Sequence, residues 1–371
     1  MIVCVELQFD GENHEDCNSG IIRLLCESSG EEIYVVAGSL HIAALKKVGI
    51  PERVNFVPED IPPWRYAEQE DKEEIYHALL IKMVNELHIT SHDKLFILSS
   101  PKAITTAVLK IVNFYRISCF FIEHANLDGM LREQFEDHLQ YSYKNIINKI
   151  GESEYAKILT YSPYAKDKVK GTLSDNTRHK MYFINHPVDD CREKDKESYG
   201  NRTIGVYGAC VNEIFREMLK KMDLNKGYDF LVLRRASIDR LDYKYIFPDG
   251  IEMHQRTGMF SYEERLEYIK RMGWILMPYD QTMYRVSMSG ILADAIRYER
   301  PIIALNSPII EWYNKQGPIG IVAENIEELV NKLEPGFLNT KYIHFINNIK
   351  TLKDNMMKEN RKLMREILSL R

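Results

Sequence analysis

Residues 274–305 read WILMPYDQTMYRVSMSGILADAIRYERPIIAL, and this stretch decides the fold. It opens with an apolar strand, residues 274–277, that ends at Pro278. A polar loop then leads to Ser289, where a helix is predicted to begin, and a second buried strand follows at residues 301–304. Strand, helix and strand in this order are typical of a crossover between parallel strands, and therefore of a doubly wound α/β sheet.

Ser289 and Gly290 stand at the predicted start of this helix. Ser289 is a favoured N-cap residue, and Gly290 lets a ligand approach the backbone closely. The first amides of a helix lack intrahelical partners and carry partial positive charge, so the turn predicts a cradle for a diphosphate. Asp294 lies just over one turn into the helix, where its carboxylate could accept hydrogen bonds from ribose hydroxyls. A helix start without a ligand and a solvent-facing Asp294 remain the alternatives.

The alternation of strands and helices extends over the whole chain. Short apolar runs, the first at residues 2–9, alternate with helix-length amphipathic segments. The polar segment 189–201 interrupts this alternation, which restarts at residue 203. We therefore predict an α/β protein with two Rossmann-like, doubly wound domains that face a cleft. The predicted limits are 1–188 for the N-terminal domain, 189–201 for a linker, 202–340 for the C-terminal domain and 341–371 for a terminal helix.

The terminal helix carries basic residues that we interpret as a solvated face. Its apolar positions recur at helical spacing on another side. The basic residues are Lys350, Lys353, Lys358, Arg361, Lys362 and Arg365.

Composition narrows the class of protein. The 371 residues are 45% hydrophobic and 28% charged, which is normal for a soluble globular protein. The formal net charge of −5 gives no bulk attraction to nucleic acid. The six cysteines have neither the spacing of a zinc site nor that of a disulfide framework. The N-terminus lacks the features of a secretory signal, and no apolar run reaches membrane-spanning length, so we expect a cytoplasmic protein, with attachment to a membrane surface as the alternative.

Three further residues in the second half are candidates for contact with a diphosphate. Gly208 follows a predicted strand and precedes a helix, which suits the turn of a Rossmann unit. Arg234 ends the next predicted strand, and arginine can pair bidentately with phosphate. Arg285, in the loop before Ser289, is a second candidate cation. A tight turn and solvated surface arginines are the alternatives.

The second half resembles the nucleotide-sugar-binding region of GT-B glycosyltransferases, especially the large retaining group called family 4. The resemblance rests on Met277-Pro278, Ser289-Gly290, Asp294-Ala295 and the strand that begins Arg300-Pro301-Ile302-Ile303. The preceding Thr257-Gly258-Met259-Phe260 is similar to the family's base-binding loop. The resemblance therefore implies that Gly258, Met259 and Phe260 lie near the base of a nucleotide.

Weaker points of resemblance occur in the first half, in the family's order. The sequence Phe120-Phe121-Ile122-Glu123-His124 is similar to the strand that delivers a histidine to the sugar site. The sequence Phe183-Ile184-Asn185-His186-Pro187-Val188-Asp189 resembles the turn that closes the family's N-terminal domain. The resemblance implies a role for His124 at the donor sugar, and a histidine with a structural role only is the alternative.

The chain departs from the family pattern at two informative positions. Family members commonly carry two glutamates eight positions apart; Asp294 stands at the second position and Val286 at the first. Glu299 replaces the glycine that commonly precedes the basic residue.

The resemblance implies a glycosyltransferase that moves a sugar from a nucleoside-diphosphate sugar to a glycan or lipid-linked acceptor. The C-terminal domain would bind the donor, the N-terminal domain would form the acceptor side, and the helix at 341–371 would pack back toward the N-terminal domain. By resemblance we expect retention at the anomeric carbon, with His124 and Asp294 as catalytic residues. We expect no metal and no cofactor, since fixed amides and arginines can stabilise a departing diphosphate. A non-hydrolysing nucleotide-sugar epimerase and a catalytically inactive GT-B-like binding protein are the alternatives.

Overall fold

The computed structural model describes residues 1–123, 126–132, 142–188, 202–224, 227, 229–236, 247–257, 260–279, 283–333 and 335–370. The chain divides into two compact units. Unit 1 comprises Met1–Pro187, Val286–Met288 and Lys358–Arg371, and unit 2 comprises Val188–Arg285 and Ser289–Met357. The predicted linker, residues 189–201, lies outside the described residues.

Unit 1 is built on a parallel sheet of seven strands in the order β3-β2-β1-β4-β5-β6-β7. The strands are β1 (Ile2–Glu6), β2 (Ile33–Gly38), β3 (Val54–Glu59), β4 (Lys94–Ile97), β5 (Ser118–Glu123), β6 (Ala156–Thr160) and β7 (Met181–Phe183). The α-helices of this unit are Glu15–Ser28, Ser39–Val48, Glu73–Glu86, Lys102–Tyr115, Asn126–Arg132, Tyr143–Glu152, Ala165–Lys168 and Asp175–His179. Short 3₁₀ segments occur at Trp64–Glu68 and Glu70–Lys72.

The inner strands of unit 1 are buried because helices cover both faces of a parallel sheet. Every residue of β1 is buried, and the same holds for β6. The segment Val286–Met288, which comes from the second half of the sequence, belongs to this unit. Within it, Val286 is 1% exposed and forms part of the hydrophobic core.

Strand β1 is shorter than the apolar run at residues 2–9 predicts. It ends at Glu6, whose buried carboxylate accepts hydrogen bonds from the amides of Gln8 and Phe9 at 2.9 and 3.2 Å. The same carboxylate accepts from Asn18 at 3.0 Å and from Ser99 at 2.6 Å. These bonds turn the chain away from the sheet, so the prediction of a strand to Phe9 is wrong.

Unit 2 is built on a parallel sheet of six strands in the order β10-β9-β8-β11-β12-β13. The strands are β8 (Thr203–Tyr207), β9 (Asp229–Ala236), β10 (Ile251–Thr257), β11 (Trp274–Met277), β12 (Ile302–Leu305) and β13 (Gly320–Ala323). A 3₁₀ segment at Gly208–Cys210 precedes the α-helices Glu213–Lys221, Tyr262–Arg271, Gly290–Arg297, Pro308–Asn314, Ile326–Lys332 and Pro335–Ser369. The prediction of two doubly wound parallel sheets is confirmed.

The last helix, Pro335–Ser369, begins six residues before the predicted position at 341. The prediction that Lys353 lies on a solvated face is wrong, because this residue is only 2% exposed. Its ammonium group lies 2.6 Å from the carboxylate of Glu299, which is itself 7% exposed. Glu299 adopts a left-handed backbone conformation, with φ of 57°. A buried ion pair therefore joins the helix to the turn before β12.

The end of this helix belongs to unit 1, where it contacts the turn after β7. Asn360 accepts a hydrogen bond from the amide of Asn185 at 2.7 Å and donates one to its carbonyl at 2.9 Å. Arg361 donates to Glu27 at 2.6 Å on the surface of the same unit. Within the described part of the chain, no helix is both long and apolar enough to cross a membrane.

Candidate functional site

The strand order of unit 2 has one topological switch point, between β8 and β11. From β8 the chain proceeds outward to β9 and β10, and it then returns to place β11 on the other side of β8. Strands β8 and β11 pair in parallel through Ile204 with Trp274 and through Gly205 with Ile275. In open α/β sheets, the loops that follow the two strands at such a point leave a crevice in which ligands bind.

Gly208 begins the turn after β8. Its backbone is left-handed, with φ of 56°, a conformation that favours glycine. A Cβ atom at this position would lie 3.2 Å from Cδ1 of Ile291, which belongs to the first turn of helix Gly290–Arg297. The two turns predicted from sequence to meet a diphosphate are therefore in close contact, and a side chain at Gly208 would obstruct both.

The helix after β11 begins as the sequence predicts. Ser289 is the N-cap residue, and its Oγ accepts a hydrogen bond from the amide of Ile291 at 3.1 Å. The first intrahelical bond runs from the amide of Ala293 to the carbonyl of Ser289. Gly290 is exposed, and a Cβ atom there would meet none of the described residues within 4 Å. The described residues therefore leave open space beside the positive end of the helix dipole.

Polar side chains hold both turns in place. The hydroxyl of Tyr279 lies 2.6 Å from Oγ of Ser289. Asn212 caps helix Glu213–Lys221, and its amide group also donates to the carbonyls of Ala209 and Pro278, each at 3.1 Å. Because Pro278 follows β11 directly, Asn212 ties the turn after β8 to the end of β11. The two turns thus form a preorganised unit.

Asp294 is buried, with 8% of its surface exposed. The hydroxyl of Tyr207, the last residue of β8, donates a hydrogen bond to its Oδ2 at 3.1 Å. Nη1 of Arg297 lies 3.5 Å from its Oδ1. Burial, and next the Asp294 carboxylate, raise the pKa of Tyr207 well above its ordinary value, so this hydroxyl stays a donor.

The two predicted arginines differ in environment. Leu233 pairs with Tyr207 across β9 and β8, which places Arg234 level with Gly208 at the same edge of the sheet. Arg234 is 9% exposed, whereas Arg285 is exposed to solvent.

Other predicted site residues are only partly described. Phe260 is half-buried, and its ring lies 5.8 Å from the guanidinium of Arg256 and 5.9 Å from the ring of Tyr268. Gly258, Met259 and His124 lie outside the described residues.

Glu123, the residue before His124, is a buried carboxyl at the end of β5. It is 2% exposed, and Oε2 has no hydrogen-bond partner among the described residues. Burial raises the pKa of Glu123 to about 7, although hydrogen bonding with Asn126 and Ser100 opposes this, and the carboxylate of Glu68 raises it further. The described residues contain no group of three or more His, Cys, Asp or Glu side chains arranged to hold a metal ion.

The sequence matches no protein-family model and no curated protein. Solved structures do match it over nearly the whole chain. The structure of Anabaena HepE in complex with UDP-glucose has a TM-score of 0.67 at 11% identity, and the match covers 100% of this chain and 99% of that one. For the sucrose-phosphate synthase of Thermosynechococcus elongatus the TM-score is 0.66 at 10% identity, with 99% of each chain covered. The chain has the GT-B fold.

Arabidopsis thaliana UGT89C1 complexed with quercetin also matches, with a TM-score of 0.55 and 12% identity over 100% of this chain and 99% of that one. The resemblance drawn from sequence motifs is therefore confirmed for the GT-B fold. Because all of these identities are low, the likeness defines the fold alone.

Sequence reasoning found the two glycine turns of this GT-B chain but missed the side chains that hold them. The missed residues are Tyr207, Asn212, Tyr279 and Arg297. A tyrosine directly before Gly208 was an available signal, since a buried tyrosine needs a partner for its hydroxyl. The partner itself, Asp294, is 87 residues away and is not evident from local spacing.

Proposed function

We propose that the chain is a glycosyltransferase that moves a sugar from a nucleoside-diphosphate sugar to a glycan or lipid-linked acceptor. The observation that carries the proposal is the contact between the Gly208 turn and the first turn of helix Gly290–Arg297 at the switch point of unit 2. Phosphates bind at helix starts and at glycine turns of Rossmann-like units, and the described residues leave the space beside Gly290 open.

The matching solved structures support the same activity. HepE was crystallised with UDP-glucose, one match is a sucrose-phosphate synthase, and UGT89C1 was crystallised with quercetin. A nucleotide sugar is common to the first of these and to our proposal. We accordingly propose that the base lies near Gly258, Met259 and Phe260, by resemblance to the family.

The main electrostatic task in this reaction is to stabilise the diphosphate as it leaves the sugar. In our proposal the amides of the helix start at Ser289 and Gly290, the Gly208 turn, Arg234 and Arg285 perform it, without a metal or a cofactor. Asp294 and His124 are the proposed carboxylate and histidine of the site. We further propose retention at the anomeric carbon, and detection of an inverted product by NMR would contradict this part.

The proposed setting is the cytoplasm, with contact to a membrane surface where the acceptor is lipid-linked. This part of the proposal rests on family resemblance and on the composition of the chain.

A charge placed in the proposed anion site provides the test. Gly290→Asp is expected to weaken nucleoside-diphosphate binding at least tenfold, because its carboxylate would repel the diphosphate. The stability of the variant should be unchanged or higher by about 0.3–1 kcal/mol, since a negative charge is favourable at a helix start. Calorimetry with UDP, GDP and ADP measures the affinities, and thermal unfolding measures stability.

Gly290→Asn is the matched control, because asparagine has nearly the same size as aspartate without its charge. Its affinity should fall much less than that of Gly290→Asp. Equal losses in the two variants would assign the effect to bulk and would contradict an electrostatic site. If the wild-type chain binds none of the nucleotides, the proposed function is wrong.

One observation favours a second candidate, a GT-B-like protein that binds nucleotide sugars without transferring them. Val286 occupies the position of the family's first glutamate, and it lies in the apolar core of unit 1, where it is 1% exposed. Binding of a nucleotide sugar without any release or transfer of its sugar would support this candidate.

A further inference from the structure

The hydrogen bond between Tyr207 and Asp294 joins the two turns of the proposed site. Tyr207 is the last residue of β8 and directly precedes Gly208. Asp294 lies one turn beyond the start of helix Gly290–Arg297, three residues after Ile291. A bond of 3.1 Å between their side chains therefore ties the strand that carries one turn to the helix that forms the other.

Both oxygens of the Asp294 carboxylate face protein partners. Oδ2 accepts the hydrogen bond of Tyr207, and Oδ1 lies 3.5 Å from the guanidinium of Arg297. The side chain of Asp294 is 11% exposed and that of Arg297 is 5% exposed. A carboxylate that binds ribose hydroxyls needs an oxygen accessible to the ligand, whereas the carboxylate of Asp294 is largely buried beside Tyr207 and Arg297.

We propose that Asp294 is a positioning residue, which acts through Tyr207 to hold the Gly208 turn against the start of helix Gly290–Arg297 and does not bind the ribose. This inference rests on the proposed function, because it assigns the role of a residue in the proposed diphosphate site. It replaces the contact with ribose that the position of Asp294 in the sequence suggests.

The spacing of the two turns matters because each would contribute amides to the same diphosphate. Cδ1 of Ile291 lies 3.2 Å from the Cβ position of Gly208, so the turns are already at contact distance. Loss of the Tyr207 hydroxyl would leave Oδ2 of Asp294 without its donor, and the helix and strand would no longer be fixed to each other at this point. Small displacements of binding groups weaken every hydrogen bond to a ligand held between them.

The experiment compares three ligands that share the diphosphate and differ in the ribose. The first is whichever of UDP, GDP and ADP binds the wild-type chain most tightly, the second is its 2′,3′-dideoxy analogue, and the third is inorganic pyrophosphate. Calorimetry on the full chain gives the affinity of each ligand for the wild type, Tyr207→Phe and Asp294→Asn. Tyr207→Phe is the cleaner variant, because it leaves the Asp294–Arg297 pair intact.

We expect Tyr207→Phe to weaken the binding of all three ligands by the same factor, about fivefold, which corresponds to the net effect of one hydrogen bond. Asp294→Asn should likewise weaken all three ligands equally, and by a larger factor, because it also removes the charge opposite Arg297.

The matched control is Tyr342→Phe, which removes another buried tyrosine hydroxyl of unit 2. That hydroxyl has no hydrogen-bond partner among the described residues, so affinity should not change. Circular dichroism and thermal unfolding establish that each variant is folded before affinities are compared.

A loss of affinity confined to the ligand with ribose hydroxyls would overturn the inference, because it would show that Asp294 binds the ribose. Unchanged affinity of Tyr207→Phe for all three ligands would also overturn it. Neither result affects the proposed function, which fails separately if the wild-type chain binds no nucleoside diphosphate. In that case the inference falls with it.

Discussion

Replacing Glu299 with alanine is expected to lower the free energy of unfolding of unit 2 by about 3–5 kcal/mol. The carboxylate lies 2.6 Å from the ammonium group of Lys353, and both residues are buried at 7% and 2% exposure. Its removal would leave the Lys353 charge in the interior without this partner, and a buried charge that loses its partner is strongly destabilising. Lys350 cannot compensate, since it carries a charge of the same sign. Urea unfolding, followed by hydrogen exchange in β11 and β12, measures the loss.

Two controls separate the buried charge from other effects. Glu311→Ala removes an exposed carboxylate that lies 2.7 Å from Lys315, and we expect a change below about 1 kcal/mol. The double variant Glu299→Ala with Lys353→Met should be more stable than Glu299→Ala alone, because the buried charge of Lys353 is removed as well. The account is contradicted if the double variant loses as much unfolding free energy as Glu299→Ala and Lys353→Met lose together when each is made alone.

The second large effect concerns Glu123 and pH. Burial raises the pKa of this carboxyl from 4.5 to about 7 in the folded chain. At pH below 4.5 both the folded and the unfolded chain hold the proton, so the burial carries no penalty from ionisation. Between these pKa values only the folded chain retains the proton, and stability falls by about 1.4 kcal/mol per pH unit. We expect a loss of about 3 kcal/mol, complete above the folded-state pKa of about 7.

Glu123→Gln should not show this loss, because its amide does not titrate. The unfolding free energies of this variant and of the wild type are measured at about pH 4.5 and at about pH 8. At each pH the value of one is subtracted from that of the other, which removes the contribution of the titrating groups that the two chains share. Glu52→Gln, at an exposed position of the same unit, is the control for the replacement of a carboxylate by an amide. The same difference at both pH values would show that Glu123 is not held in its neutral form.

Much of the fold was predictable because its signals are local. Apolar runs of strand length, amphipathic helices and the Ser289–Gly290 helix start all occur within a few residues, and each element is present. The end of β1 was not predictable from the apolar run, because it depends on Glu6 contacting Asn18 and Ser99 from other parts of the chain.

The candidate site also combines features with a local sequence signal and contacts between distant parts of the chain. Gly208 and Gly290 could be found from their positions next to a strand and a helix, whereas the Tyr207–Asp294 hydrogen bond spans 87 residues. Glu299 was recognised from sequence as a departure from a common glycine. The left-handed backbone there explains why glycine suits the position, and the buried Lys353 explains how a glutamate is accommodated. That partner lies 54 residues away, on a helix that the basic pattern suggested was solvated.

The central claim is that a nucleoside diphosphate binds between the Gly208 and Gly290 turns of unit 2. Glycine-selective ¹⁵N labelling followed by NMR titration with UDP, GDP and ADP tests it directly, because both turns carry a glycine amide. The two resonances are assigned by their loss in Gly208→Ala and Gly290→Ala. We predict that both amides shift on binding, while those of Gly49 and Gly171, at turns of unit 1, do not. Binding of a nucleotide that leaves the Gly208 and Gly290 resonances unmoved would contradict the account.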